Sequence, residues 1–303
     1  MKKFAVAAIS ALVIGTGAAV AADLPLKAPL AVPAPLCTWC GWYVGANAGG
    51  GWHDGESVGL LVTPGAVNAA LPANGTLSQN AAIAGIPGNL PFNASGFIGG
   101  VQGGYNWQFN RIVAGIEADI QGASIKGSAN SVASVPLVGF AVNAQTNVTV
   151  GNRLDYLGTV RGRLGFTAVP NLLLYGTGGF AYGGVNSNTT VSQMLAGPAV
   201  GAAGGLAVAN DNFSGTRVGW VAGVGGEWMA TQRWSFKLEY LYYDLGNVNY
   251  GGTLNNLTTA ASGAGPAGSL WYSLGIASST HMAGNIVRVG VNYHWGSPVV
   301  AKY

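Results

Sequence analysis

The feature that most restricts how this chain can fold is a two-residue alternation that recurs in eight segments of about ten residues or more. The segments are 41–52, 96–109, 112–123, 155–168, 171–184, 218–228, 234–246 and 285–295. Successive side chains of a strand point to opposite faces, so each segment defines an apolar and a polar face. In 155–168, Tyr156, Val160, Leu164 and Phe166 share one face, and Asp155, Thr159, Arg161 and Arg163 share the other. About ten residues is the length at which a tilted strand crosses a bilayer.

Charges decide which face meets what. Only 8% of residues are charged. Nine of them take the parity opposite the apolar set: Arg161, Arg163, Lys237 and Arg288, against Glu117, Asp119, Asp155, Glu227 and Glu239. An Arg or Lys facing lipid at the bilayer midplane costs about 2–4 kcal/mol. Turned inward beside carboxylates it is matched, and the arginine fork suits bidentate pairing. The near balance predicts a network of paired charges filling a narrow lumen, with Glu117 or Asp119 as the partner of Arg161. A water-soluble ligand-binding barrel has the opposite requirement, since its outside meets water. Seven of the nine tryptophans (Trp42, Trp52, Trp107, Trp220, Trp228, Trp234 and Trp295) lie near segment ends, as the two aromatic girdles of an outer-membrane barrel require.

The connections alternate in length. Segments two and three, four and five, and six and seven meet across a few residues, at Asn110-Arg111, Val169-Pro170 and 229–233. The other four connections are long, Gly-, Ala-, Asn-, Ser- and Thr-rich, and read as surface loops. Short turns on one side and long loops on the other predict an all-β fold, an eight-stranded antiparallel up-and-down transmembrane β-barrel over 41–295 with four long extracellular loops. An even strand count places both ends of the barrel on the periplasmic side. Closure removes the strand edges that lipid cannot satisfy.

The N-terminus reads as a signal peptide over 1–21: Lys2 and Lys3, an apolar stretch, then Ala19-Val20-Ala21 before the cut. Beyond it no run of 18 apolar residues occurs, although mean hydropathy is +0.34. Residues 22–40 form a Pro-rich periplasmic lead, with Pro25, Pro29, Pro33 and Pro35 favouring extension. The lead ends in Cys37-Thr-Trp-Cys40, read as a local disulfide of the oxidising periplasm, with a redox motif as the other reading. Residues 296–303 form a periplasmic tail. A net charge of +3 without a basic face gives no sign of nucleic-acid binding.

The final segment, Arg288-Val-Gly290-Val-Asn-Tyr293-His-Trp295, resembles the C-terminal signal of outer-membrane proteins, with Gly290, Tyr293 and Trp295 as its marks; the resemblance implies the barrel assembly machinery as a partner during insertion. The chain as a whole resembles the small OmpA-like β-barrel proteins of Gram-negative bacteria, and within them the outer membrane immunogenic protein family, also called the porin-like opacity or surface-antigen family. The resemblance rests on the Ala22-Asp-Leu-Pro25 start, Trp39 to Gly45, Arg161-Gly-Arg-Leu-Gly165 and Asn285 to Tyr293. It implies a surface protein of the outer membrane that supports envelope integrity, in contact with lipid and lipopolysaccharide, with porin activity often assigned. Larger relatives carry a peptidoglycan-binding domain after the barrel, and none is expected in a sequence that stops at Tyr303.

Catalytic chemistry is sparse. His53, His281 and His294 show no metal-ligand spacing. His53-Asp54, near the outer end of the first segment, is a candidate acid–base pair of the kind barrel lipid-modifying enzymes use, set against a solvated loop start. No cofactor is expected. The leading functional reading is a non-enzymatic structural barrel, favoured as a monomer. A small-solute porin and loop-mediated adhesion are the alternatives.

Overall fold

The computed structural model describes residues 37–196, 205–258 and 267–295; the expected signal peptide, most of the expected lead and the expected tail lie outside these. Eight strands form a closed antiparallel barrel in chain order: β1 (Gly41–Val67), β2 (Asn89–Phe109), β3 (Ile112–Pro136), β4 (Asn143–Val169), β5 (Leu172–Ala196), β6 (Ala207–Met229), β7 (Trp234–Leu257) and β8 (Leu270–His294). β1 pairs with β8 to close the ring, with Gly49 opposite Arg288. The β2–β3 turn places Asn110 at φ 55, a left-handed conformation that asparagine tolerates better than most residues.

The strands are longer than the alternation suggested. At 21–27 residues each, they absorb most of what read as extracellular loops. The barrel therefore has two storeys of opposite polarity. In the lower storey Val44, Val101, Ile116, Val160, Val224, Leu238 and Val289 are exposed on the outside, and the charges are inside. In the upper storey the outside carries Lys126, Ser128, Asn130, Asn188 and Asn212, while Val58, Leu60, Phe92, Val148, Val150, Val185, Leu254 and Ile276 are buried within. Lipid surrounds the first and water the second, so each storey keeps most of its apolar side chains from water, although Leu61, Val132 and Val208 stay exposed on the upper outside.

On several strands the change of storey coincides with a slip in parity. Below Asp155, β4 points odd-numbered residues inward (Thr159, Arg161, Arg163); above it, the inward set is even-numbered (Leu154, Asn152, Val150, Val148). The register shifts there against both neighbours, between Leu154 and Tyr156. β1 slips between His53 and Glu56, and β7 between Asp244 and Asn247, where Gly246 supplies φ 74. A single extra residue turns every later side chain to the other face.

The first long connection holds a helix, α1 (Pro72–Ala84), which caps the upper storey from inside. Proline stands in its first turn, where a missing N–H costs nothing. Asn68 Oδ1 accepts the N–H groups of Ala70 and Leu71 at 2.9 and 3.1 Å. The Gln79 amide, buried, donates to the Gly65 and Ser273 carbonyls at 3.1 and 2.9 Å, and Gln193 donates to the Ala82 carbonyl at 2.9 Å. These bonds tie α1 to β1, β8 and β5. The loop expected here gave no helical signal because its apolar residues are mostly alanines, interrupted by Asn74 and Gly75.

Candidate functional site

The lower lumen contains the charge cluster. Glu117 on β3 and Arg161 on β4 are direct cross-strand partners, as are Glu227 on β6 with Lys237 on β7, and Glu239 on β7 with Arg288 on β8. Inward parity then brings all of them to the barrel axis.

Arg161 is the hub. Its guanidinium donates to Asp119 Oδ2 at 2.9 Å, to Glu239 Oε1 at 3.0 Å, to Glu117 Oε1 and, through Nε, to Thr159 at 3.0 Å. Arg288 donates to Glu239 Oε2 at 2.8 Å through Nε and 2.5 Å through Nη2, and to Asp119 Oδ2 at 2.9 Å. Lys237 Nζ reaches both Glu117 oxygens at 2.9 and 3.0 Å. Arg163 forms a second centre one step toward the short-turn end. It donates to Glu227 at 2.6 Å and to the Tyr43 hydroxyl at 3.1 Å, and lies 4.2 Å from the Tyr175 ring centroid. Glu227 also accepts from Ser235 at 2.5 Å and Asn292 at 2.7 Å. Tyr43 and Tyr175 donate to Glu117 and Glu239 at 2.7 and 3.0 Å.

Eight of the nine residues singled out from the sequence meet here. The ninth, Asp155, does not. The β4 slip leaves it on the outside, partly exposed, in contact with Arg153 and Asn186. Its departure leaves four carboxylates against four cations. That balance matters, because taking a charge out of water costs several kcal/mol, offset only by well-placed partners. Asp244 also takes outward parity on β7, at the upper edge of the lipid-facing band, where it sits 3.4 Å from His281.

Tyr43, Tyr175, Gln102, Ser235 and Trp39 were not expected in the lumen from the sequence. All but Trp39 share the inward parity of their strands; aromatic character hid the two tyrosines among lipid-facing rings. The cluster is closed: the side chains of Asp119, Arg161, Glu239 and Arg288 have no accessible surface.

The mouth at the short-turn end is filled too. Cys37 and Cys40 are disulfide-linked, and the loop between them inserts Trp39, 0% exposed, beneath the cluster. Its indole N–H donates to the Pro170 carbonyl at 3.2 Å, its ring packs with Val113, Leu173, Tyr175 and Met229, and it meets His294 edge-on at 6.1 Å. On β8, Gly290 borders the lumen, where a Cβ would stand 3.1 Å from Lys237 Cγ and 3.2 Å from Gln102 Nε2. Tyr293 and Trp295 are ring neighbours at 5.5 Å, with Tyr293 also against Trp234 at 5.1 Å.

His53 and His281 lie apart from the cluster, whereas His294 borders it, 3.4 Å from Glu227. His53 is 2% exposed, bonded to Glu56 at 2.8 Å and Tyr243 at 2.6 Å. The Asp54 side chain lies outside the described set. His294 faces Ser235 at 2.9 Å within the lumen, and His281 is exposed. Among the described residues no group of three or more His, Cys, Asp or Glu is placed to hold a metal ion.

Comparison with known proteins gives a consistent picture. The family described as outer membrane protein beta-barrel domain matches residues 10–294. The 31 kDa outer-membrane immunogenic protein of Brucella melitensis biotype 1 is 36% identical over 267 residues, 82% of this chain and 89% of that protein. The 22 kDa outer membrane protein of Rhizobium leguminosarum bv. viciae is 28% identical over 144 residues, 48% of this chain and 50% of that protein. Among solved structures, the outer membrane protein OprG of Pseudomonas aeruginosa aligns at a TM-score of 0.37 and 11% identity, covering 84% of this chain and 97% of that one.

Proposed function

The chain belongs to the outer membrane β-barrel family that includes the immunogenic surface proteins, and from that premise we propose that it is a non-conducting structural barrel that supports envelope integrity. The observation that carries this reading is the closure of the lumen at three levels: α1 above, the eight-residue charge cluster in the middle and Trp39 below. A porin needs a continuous wet path. An eight-stranded barrel is just wide enough for its interior to be filled by side chains, and here they fill it.

A closed barrel still spans the membrane and joins lipid to lumen through a rigid, matched core. That is a mechanical contribution rather than a transport or catalytic one. The burial of His53 in the wall supports a non-enzymatic reading, since a substrate has no approach to it.

Deletion of the gene is the test. Cells lacking the protein are expected to leak periplasmic enzymes and to become more sensitive to detergent. The wild-type chain should restore the envelope. An unchanged envelope in the deletion strain would contradict the role.

A further inference from the structure

We infer that the upper storey binds a calcium ion at Asp211, in a slot between β6 and β7. The inference is independent of the non-conducting reading of the lumen. The β6–β7 ladder runs from Met229 opposite Ser235 to Trp220 opposite Asp244 and stops there. Above that point β6 goes on pairing with β5, and β7 with β8. The upper wall therefore carries a slot between two strand edges. Its lower end is bridged by the Arg217 guanidinium, which donates to the Asn247 carbonyl. Its upper end is bridged by the Gly205 N–H, which donates to the Leu257 carbonyl at 3.1 Å. Asp211, counted from Met229, stands 18 residues from the short-turn end of β6. At ~3.3 Å per residue and a tilt of ~40°, that is about 45 Å, well above an apolar band about 25 Å tall.

Asp211 is the carboxylate that the fold leaves unmatched. Every other carboxylate whose side chain is described has an arginine, lysine or histidine within ion-pair distance, and Asp211 has none. It shares the inward parity of buried Ala207, Ala209 and Val221, and its Oδ2 is shielded from water with no donor in reach. Such a group is costly unless something positive reaches it. Burial pushes the Asp211 carboxyl up, with no cation to bring it down. Position 252 makes room for the side chain, since a Cβ on Gly252 would collide with Asp211 Oδ1. The hydroxyls beside it offer only oxygen. Thr189 on β5 is its direct cross-strand partner and faces inward with it. The Thr189 hydroxyl lies 2.9 Å from that of Tyr250 and 3.2 Å from that of Ser278. Ser187, one step down the same face of β5, is 2% exposed, and its hydroxyl has no partner. Oxygen donors with a single carboxylate suit a hard cation. Calcium takes six to eight oxygens, water included, in flexible geometry, whereas magnesium demands a near-ideal octahedron. One calcium ion answers both the unmatched charge and the unpartnered hydroxyl.

The test is calorimetric titration of calcium chloride into the full-length protein, purified in mild detergent and stripped with a chelator. Saturable binding is expected with a Kd of about 10⁻⁴–10⁻³ M. Asp211→Asn, which keeps the shape and removes the charge, should weaken it about tenfold or more. Gly252→Ala changes no ligand but puts a methyl group where Asp211 Oδ1 lies, and should weaken binding by a similar factor. Asp155→Asn, at a carboxylate already paired with Arg153, should leave it unchanged. Magnesium should bind about tenfold more weakly than calcium. Each variant is first checked for heat-modifiable gel migration. If Gly252→Ala loses that migration, Thr189→Val is measured in its place and should weaken binding about threefold. No saturable calcium binding in the millimolar range, wild-type affinity in Asp211→Asn or in the folded slot variant, or an equal loss in Asp155→Asn would each overturn the proposal. So would equal affinity for magnesium, which would mark mere screening of surface charge.

Discussion

Arg161→Leu is expected to destabilise the barrel by about 3–5 kcal/mol, the cost of leaving buried charge without its partner. Glu117, Asp119 and Glu239 all accept from this guanidinium, and none has water to turn to. Urea unfolding of the purified protein in lipid vesicles, followed by gel mobility without heating, reads the change. A loss below about 1 kcal/mol would mean that the remaining cations suffice. Charge reversal sharpens the point. Arg161→Glu should be worse than leucine, and adding Glu117→Arg should recover only part of the loss, because Asp119 and Glu239 would still face a carboxylate. Full recovery would indicate an isolated pair rather than a shared hub.

The neighbouring residue supplies the second large effect. Val160 is half exposed on the lipid side and lies in the middle of the apolar band of β4. Val160→Arg should cost about 2–4 kcal/mol, the measured range for arginine at the bilayer midplane. Two adjacent positions thus have opposite requirements: one tolerates no loss of arginine and the other no gain. The same unfolding assay checks it, with Val208→Arg as the reference. Val208 is exposed on β6 far above the lipid band and should change stability by less than about 0.5 kcal/mol. Similar costs at Val160 and Val208 would contradict the placement of the membrane.

The lower storey was legible in the sequence because lipid and a charged lumen impose opposite chemistry on alternate residues. Strand number, order, the short turns and eight of the nine lumen charges follow from that contrast. The upper storey was not legible. Its outward residues are Asn, Ser and Thr, its inward ones often Ala or Val, and this mild contrast reads as loop. The parity slips at His53, Asp155 and Asp244 broke the alternation where it would have continued. Asp155 was misplaced for the same reason: parity counted from Arg161 is valid only up to the slip. Trp39, read only as part of the Trp39 to Gly45 motif, was not expected in the lumen because it precedes the first strand, and only the disulfide-closed loop turns it into the barrel mouth.

The central claim is that the lumen is shut. Single-channel recording of the purified full-length protein in planar bilayers tests it most directly. The structure predicts a silent bilayer at salt and voltage where open porins give steps, because the α1 cap, the charge cluster and Trp39 block the path in series. Reproducible unitary conductance from protein verified as folded would contradict it.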